Sequence, residues 1–416
     1  MARIESEIGT PKGGFLKWID DRFPFTKTMK HHATEYYASK NFNFWYFFGV
    51  LAFVVLIMQL ITGIFLTMNY KPSAAEAYAS VEYIMRDVEL GWLIRYMHST
   101  GASAFFIVIY LHMFRAMLYG SYKKPRELIW IIGMLIFFAM MAEAFAGYLL
   151  PWGQMSYWGA QVIISLFGAI PMVGETLVEY IRGDYSISDI TLNRFFALHV
   201  IALPMALVAL VFVHIVALHE VGSNNPDGVE IKDHKRPDGV PLDGVAFHPY
   251  HTSKDLVAII VFLMFFSGAV FFAPEMGGYF LEYANFDPAD IRVTPEHIQP
   301  VWYFTPFYAM LRAVPDKLIG AMTMGAAVLL PMLLPWLDKS RVKSIRYRGW
   351  LYKSALATFT VSFLVLGWLG TQPATGLYVT LARIFTALYF FFFLLMPYYT
   401  TIDKTRPVPE RVVWHA

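Results

Sequence analysis

Eight stretches of this chain are long and apolar enough to cross a lipid bilayer, at roughly 43–69, 93–118, 128–150, 194–218, 256–273, 317–337, 350–370 and 377–399. A membrane helix needs about 20 mostly apolar residues, because every backbone polar group inside hydrocarbon must be paired within the segment. The expected fold is therefore all-α, a polytopic membrane protein with eight transmembrane helices. Composition agrees, with 57% apolar and 15% charged residues against about 45–50% and about 25% in soluble chains. A net charge of +2 is no footprint for nucleic acid, and lipid is the expected surroundings.

Lysine and arginine in the connections set the expected orientation. The link between spans two and three holds Lys123, Lys124 and Arg126, and that between spans six and seven holds Lys339, Arg341, Lys343, Arg346 and Arg348. Residues 70–92 hold only Lys71 and Arg86, and 151–192 only Arg182. Even-numbered spans then end inside, and both termini are expected on the cytoplasmic side. Residues 1–40 are charged and carry no apolar signal-peptide run, so the mature chain is expected to match the encoded one apart from its initiator Met.

The organisation expected from this pattern is an N-terminal surface segment (1–42), a four-helix bundle (43–218), a polar inner loop (219–255), four C-terminal helices with a large outer loop (256–400), and a tail (401–416). The outer segment 151–192 contains apolar pieces at 157–170 and 172–181 that predict short surface helices. The segment 273–316 is rich in proline and aromatics, and loops of that length commonly serve a function.

Four histidines lie at membrane depth: His98 and His112 in span two, His199 and His214 in span four. At 100° per residue, the 14-residue interval in span two returns to one face, about 21 Å further along the axis. The 15-residue interval in span four overshoots. Pro204 lies within it, and a distortion there would restore the match. The two spans run in the same direction, so they offer two His–His pairs, one above the other. A bis-imidazole pair leaves no open position, which suits electron transfer; zinc would need further ligands. Packing alone is a poor account of four costly polar groups at matched depths.

Glycine repeats the spacing. Gly49 and Gly63 in span one, and Gly133 and Gly147 in span three, are also 14 apart, as clearance for two flat macrocycles would require. Arg95 and Arg115 flank the histidines and are placed to pair with haem propionates. Cysteine is absent, which excludes disulfides, thiolate metal sites and covalent c-type haem.

Four ordered stretches carry a family resemblance: Gly91-Trp92 through Arg95-Tyr96-Met97-His98; Gly147-Tyr148-Leu149-Leu150-Pro151-Trp152-Gly153-Gln154-Met155; His219-Glu220-Val221-Gly222-Ser223-Asn224-Asn225-Pro226; and Pro300-Val301-Trp302-Tyr303. From about residue 12 to residue 400 the sequence resembles the bacterial-type cytochrome b subunits of ubiquinol–cytochrome c oxidoreductase (complex III). The resemblance implies a di-haem four-helix bundle with two non-covalent b-type haems. The outer, low-potential haem would lie on His98 and His199, the inner, high-potential one on His112 and His214. It further implies quinol oxidation at an outer pocket and quinone reduction at an inner one, coupled to proton translocation in a Q cycle. The implied partners are a Rieske iron–sulfur protein and a cytochrome c1-type subunit, in a homodimeric complex. The unsplit chain and charged N-terminal segment point to a bacterial cytoplasmic membrane.

For the inner pocket the matching residues are His219, Ser223, Lys254 and Asp255. An imidazole and a carboxylate there would hydrogen-bond quinone oxygens and deliver protons. For the outer pocket they are Tyr148, Trp302 and Tyr303. The family's Pro-Glu-Trp-Tyr reads Pro300-Val301-Trp302-Tyr303 here, and valine cannot accept a proton. Glu296 in the same loop and Glu143 inside span three are the candidate substitutes, with Glu143 preferred for its depth. The same interval of 15 between His199 and His214 occurs in photosynthetic relatives, whose extra covalent haem needs a cysteine absent here. Two other readings are a haem-bearing anchor of a dehydrogenase or hydrogenase, and a transporter with histidine proton relays. The outer-loop motifs disfavour the first, and the matched histidine depths with no inverted repeat disfavour the second.

Overall fold

The computed structural model describes residues 14–30 and 34–413. Eight helices are long and apolar enough to cross a membrane: Phe44–Thr67, Gly91–Tyr119, Glu127–Leu149, Asp189–Val221, Phe247–Phe272, Lys317–Leu337, Trp350–Leu369 and Gly376–Leu394. Spans one and two pack together, as do three and four, and seven and eight. A short helix, Thr305–Ala313, lies against spans seven and eight. The core runs through Phe106, Met134, Phe137, Met310 and Leu366, each at most 2% exposed. Large apolar side chains such as Phe265, Phe272 and Leu364 point outward, the surface a lipid solvent accepts.

Span four departs most from the sequence expectation. It begins at Asp189, where the Ser188 N–H donates to Thr191 Oγ1 at 3.1 Å, because a polar first turn precedes the apolar run. Over Leu198–Ala202 it forms a π-type turn in which the Leu203 N–H bonds the Leu198 carbonyl. Such a turn takes up an extra residue, so the 15-residue interval behaves as the 14-residue one. Pro204 follows directly, and its missing N–H is tolerated there.

Other boundaries shift for local reasons. Span four reaches Val221 and the regular helix of span five starts at Thr252. The polar inner connection is thus 222–251, and Lys254 and Asp255 sit on a helical first turn. Span eight stops at Leu394, and Met396–Ile402 resumes with Pro397 in its first turn, where proline is accepted. Gln154–Leu166 and Gly174–Arg182 are the two expected surface helices. A third, Ala77–Arg86, buries Ala77, Ser80 and Ile84 along one stripe.

At the lysine- and arginine-rich end, the charges are paired across the connections. Strand β1 (Tyr37–Ser39) pairs antiparallel with β2 (Gly244–Ala246). Asp243 beside it binds Lys40 and Arg411, both at 2.8 Å. Glu230 joins Arg126 at 2.6 Å and also Lys343. Asp338 takes Lys123 at 3.0 Å and Arg348 at the closest approach, with Tyr122 donating at 2.6 Å. Residues that marked orientation in the sequence therefore also lock three connections together.

Candidate functional site

Each of the four membrane histidines meets one of the four glycines. A Cβ placed on Gly63 would lie 3.3 Å from His98 Cε1, on Gly49 3.3 Å from His112 Cε1, and on Gly133 3.3 Å from His214 Cε1. At Gly147 it would run into the His199 ring, 2.7 Å from Nδ1. The sequence spacing predicts clearance for macrocycles; the contacts here are between glycine and imidazole, where span one approaches span two and span three approaches span four. The pairing respects depth, with Gly63 and Gly147 at one level and Gly49 and Gly133 at the other.

The His98 and His199 rings face each other with centroids 6.1 Å apart and planes at 87°. That gap accommodates one metal ion bonded to a nitrogen on each side at about 2 Å per bond. His112 and His214 are within electrostatic range of one another at the second level. Among the described residues no group of three or more His, Asp or Glu could hold a metal ion. The donor set fits a two-coordinate demand, as a macrocycle supplying its own equatorial nitrogens makes.

Partners outside the pairs orient the rings. Thr62 Oγ1 lies 2.9 Å from His98 Nδ1. His199 Nδ1 lies 3.0 Å from the Glu143 carbonyl and 3.1 Å from Glu143 Oε1. Glu143 therefore faces a candidate ligand, not open space. At the second level Arg115 stacks over the Tyr46 ring at 4.9 Å, and its Nε is buried with no protein acceptor. An orphaned guanidinium N–H beside a ligand pair fits an anionic substituent such as a propionate. Arg95 is half-buried three residues before His98.

An apolar cleft with a cavity volume of about 400 Å³ lies between span three, the helix Gln154–Leu166, the 298–308 segment and span six. Phe145, Gly159, Pro300 and Phe304 are among its walls. The Pro300-Val301-Trp302-Tyr303 turn is packed onto span two. Tyr303 stacks on Phe106 at 3.8 Å, the Trp302 indole donates to Ser103 at 3.1 Å, and the Tyr110 hydroxyl donates to the Tyr303 carbonyl at 2.7 Å. Glu296 is exposed on the loop. The carboxylate that meets Tyr148 is Glu282, which accepts the phenol proton at 2.8 Å. Sequence reasoning missed it. Its sole local signal is an acid flanked by Tyr279, Phe280, Leu281 and Tyr283.

At the opposite end, His219 in the last turn of span four stacks on Tyr36 at 4.5 Å. Ser223 is half-buried just beyond. The Lys254 ammonium donates to the Tyr250 hydroxyl at 2.9 Å and lies over that ring. Asp255 is half-buried beside it in the first turn of span five. The fold brings the ends of spans four and five to one level, with the aromatic rings of Tyr36 and Tyr250 beside the polar groups.

Comparison with known proteins covers nearly the whole chain. Residues 33–222 match the family model described as cytochrome b/b6/petB, and residues 288–390 that described as cytochrome b (C-terminal)/b6/petD. The chain is 62% identical over 405 residues to cytochrome b of Allochromatium vinosum, covering 95% of this chain and 98% of that protein. It is 44% identical over 384 residues to cytochrome b of Arabidopsis thaliana, covering 92% and 94%. A solved structure titled hyperthermophilic respiratory complex III superposes with a TM-score of 0.87 at 40% identity, over 93% of this chain and 99% of that one.

Proposed function

The chain belongs to the cytochrome b family, and from that premise we propose that it is the di-haem subunit through which a bacterial complex III oxidises quinol and reduces quinone on opposite sides of the membrane. The observation that carries this reading is the His98–His199 pair, 6.1 Å between ring centroids, with a glycine abutting every membrane histidine. His98 with His199, and His112 with His214, would hold the two b haems. When bound, they supply one-electron carriage between the ends of the bundle.

The chain's own groups do the rest. Thr62 and Glu143 fix the orientation of the imidazoles they touch. Arg115, and Arg95 at the other level, offer cationic donors to propionates. The phenylalanine-lined cleft takes an apolar quinol ring and excludes water, with Tyr148 behind its Gly159 wall and Trp302 and Tyr303 holding the adjoining turn onto span two. At the inner end, His219 and Asp255 would hydrogen-bond the two quinone oxygens and supply protons, with Ser223 and Lys254 alongside. A chain without cysteine leaves iron–sulfur and covalent haem chemistry to partner subunits, here a Rieske protein and a cytochrome c1-type subunit, in a homodimeric assembly. Quinol would give one electron to the iron–sulfur partner and the other across the bundle, with protons released outside and taken up inside.

The test is a reduced-minus-oxidised spectrum and potentiometric titration of the purified complex. Two b-type components of unequal potential and quinol-dependent reduction of a c-type cytochrome are expected. A chain with no b-type signal would be a transporter. Two haems that reduce quinone without oxidising quinol would mark an anchor subunit of a dehydrogenase.

A further inference from the structure

Position 301, where the family pattern has a carboxylate, holds a valine that is 4% exposed. The turn 300–303 thus brings no acid to the cleft. A carboxylate is nevertheless buried behind it. Glu282 is 6% exposed and accepts the Tyr148 hydroxyl at 2.8 Å. Among the described residues no cation is paired with it, and the titratable groups that act with it are Tyr148 of span three and Tyr303 of the 302–304 turn. A buried acid with no counter-ion costs stability, so its retention calls for a role that packing does not supply.

The loop that carries Glu282 is held in register against the start of the helix Gln154–Leu166. The Ser156 N–H donates to Asn285 Oδ1 at 2.8 Å, the Gln154 N–H to the Asp287 carbonyl at 3.0 Å, and the Ala289 N–H to the Trp152 carbonyl at 3.0 Å. Gly153 allows this approach, since a Cβ there would meet Asn285 backbone at 2.7 Å. Tyr148 in turn lies directly behind the cleft wall. Its ring edge is 3.7 Å from the Cβ position of Gly159, a wall residue, and Phe145, three residues before it, is another.

We infer that Glu282, acting through the Tyr148 hydroxyl, takes up the quinol proton that a carboxylate at position 301 would otherwise accept. The inference rests on reading the cleft as the quinol-oxidation site. The step is a proton relay. A quinol O–H breaks as its proton reaches Tyr148 Oη, and the Tyr148 proton moves to Glu282 Oε2. The two quinol electrons would leave by the iron–sulfur partner and by the haem that His98 and His199 would hold, and Glu282 then gives its proton to the outer aqueous phase. Burial pushes the Glu282 carboxyl up to about 7, which matches a group that must both accept and release near neutrality. Below that pH it is protonated and cannot accept, so the rate rises as pH passes through about 7.

The experiment is steady-state quinol oxidation against pH by the intact complex carrying Glu282→Gln, and by the double variant Glu282→Gln/Val301→Glu. Haem spectra of each serve as the control for assembly. Expected are a loss of about a hundredfold with normal haem spectra, disappearance of the rise near neutrality, and recovery of tenfold or more in the double variant. A Glu282→Gln complex with the wild-type rate, or with a reduced rate and the wild-type pH profile, overturns the inference. A wild-type complex that oxidises no quinol fails the underlying reading instead, so the two failures are distinct.

Discussion

Glu143 Oε1 sits 3.1 Å from His199 Nδ1, with the Glu143 carbonyl at 3.0 Å from the same nitrogen. An acid at that depth is spent on a histidine, not on the wall of the cleft. A carboxylate bonded to the distal nitrogen of a ligating imidazole raises the basicity of the ligand and stabilises the oxidised metal. Glu143→Gln is therefore expected to raise the midpoint potential of one b component. The shift is on the order of 60 mV for a tenfold change in relative stability, and the other component stays put. Optical redox titration reads this directly, and two unmoved midpoints would remove the carboxylate from any part in setting the potential.

Gly147 and Gly133 differ in how closely they meet their histidines. A Cβ at Gly147 falls inside contact distance of three atoms of the His199 ring, whereas at Gly133 its nearest neighbour is His214 Cε1 at 3.3 Å. Gly147→Ala should displace His199 and abolish one b-type signal while leaving the other intact. Gly133→Ala should keep both, with the affected component shifted or broadened, because a few tenths of an ångström can be absorbed by the ring. Equal behaviour of the two variants in a reduced-minus-oxidised spectrum would contradict the geometry.

What the residues disclosed in one dimension was whatever repeats locally. The apolar runs gave the spans, and the shared 14-residue interval of His98–His112, Gly49–Gly63 and Gly133–Gly147 gave two levels in the bundle. Glu282 stayed hidden because its partner Tyr148 is 134 positions away, and nothing local marks a loop acid as buried. Glu143 was visible as an anomaly, but its partner was not. The basic loops read as orientation markers, since acids that neutralise them lie in other connections, Asp227 against Arg346, Glu230 against Arg126 and Lys343, and Asp338 against Lys123. Pro204 marked where span four would deviate; that the deviation is an i→i+5 turn over Leu198–Ala202 depends on packing against span three.

That turn makes a prediction of register. Ile201 lies within it and is 59% exposed, whereas Leu207, farther along the regular helix, is 3% exposed. Deleting Ile201 should convert the π-type turn to a plain α-turn, leaving a 14-residue interval that still places both histidines on one face. Both b components should survive. Deleting the outward Val208 instead shortens a helix that has already absorbed its extra residue, rotating His214 by about 100° against His199. One component should then be lost. Retention of both signals in the Val208 deletion would show that the turn does not set the register.

The charge cluster at the basic end predicts how stability responds to acid. Burial raises the Glu230 carboxyl, but hydrogen bonds and charge from Arg126 and Lys343 outweigh it and hold the group at about 2, below its ordinary 4.5. A carboxylate depressed in the folded state stabilises it fully above the unfolded value, and that contribution is lost as pH falls through the folded one. Its window is therefore from about 4.5 down to about 2. Arg126 also donates to the Gly222 carbonyl at 2.9 Å, so Glu230 indirectly fixes the end of span four beside His219 and Ser223. Glu230→Gln should lower the unfolding temperature of the detergent-solubilised complex at pH 7 by an amount equivalent to about 1–2 kcal/mol, a modest figure because the side chain is partly exposed. The gap between variant and wild type should shrink by more than half when both are measured at pH 3. A gap that is the same at both pH values would mean that Glu230 contributes through packing and not through its charge.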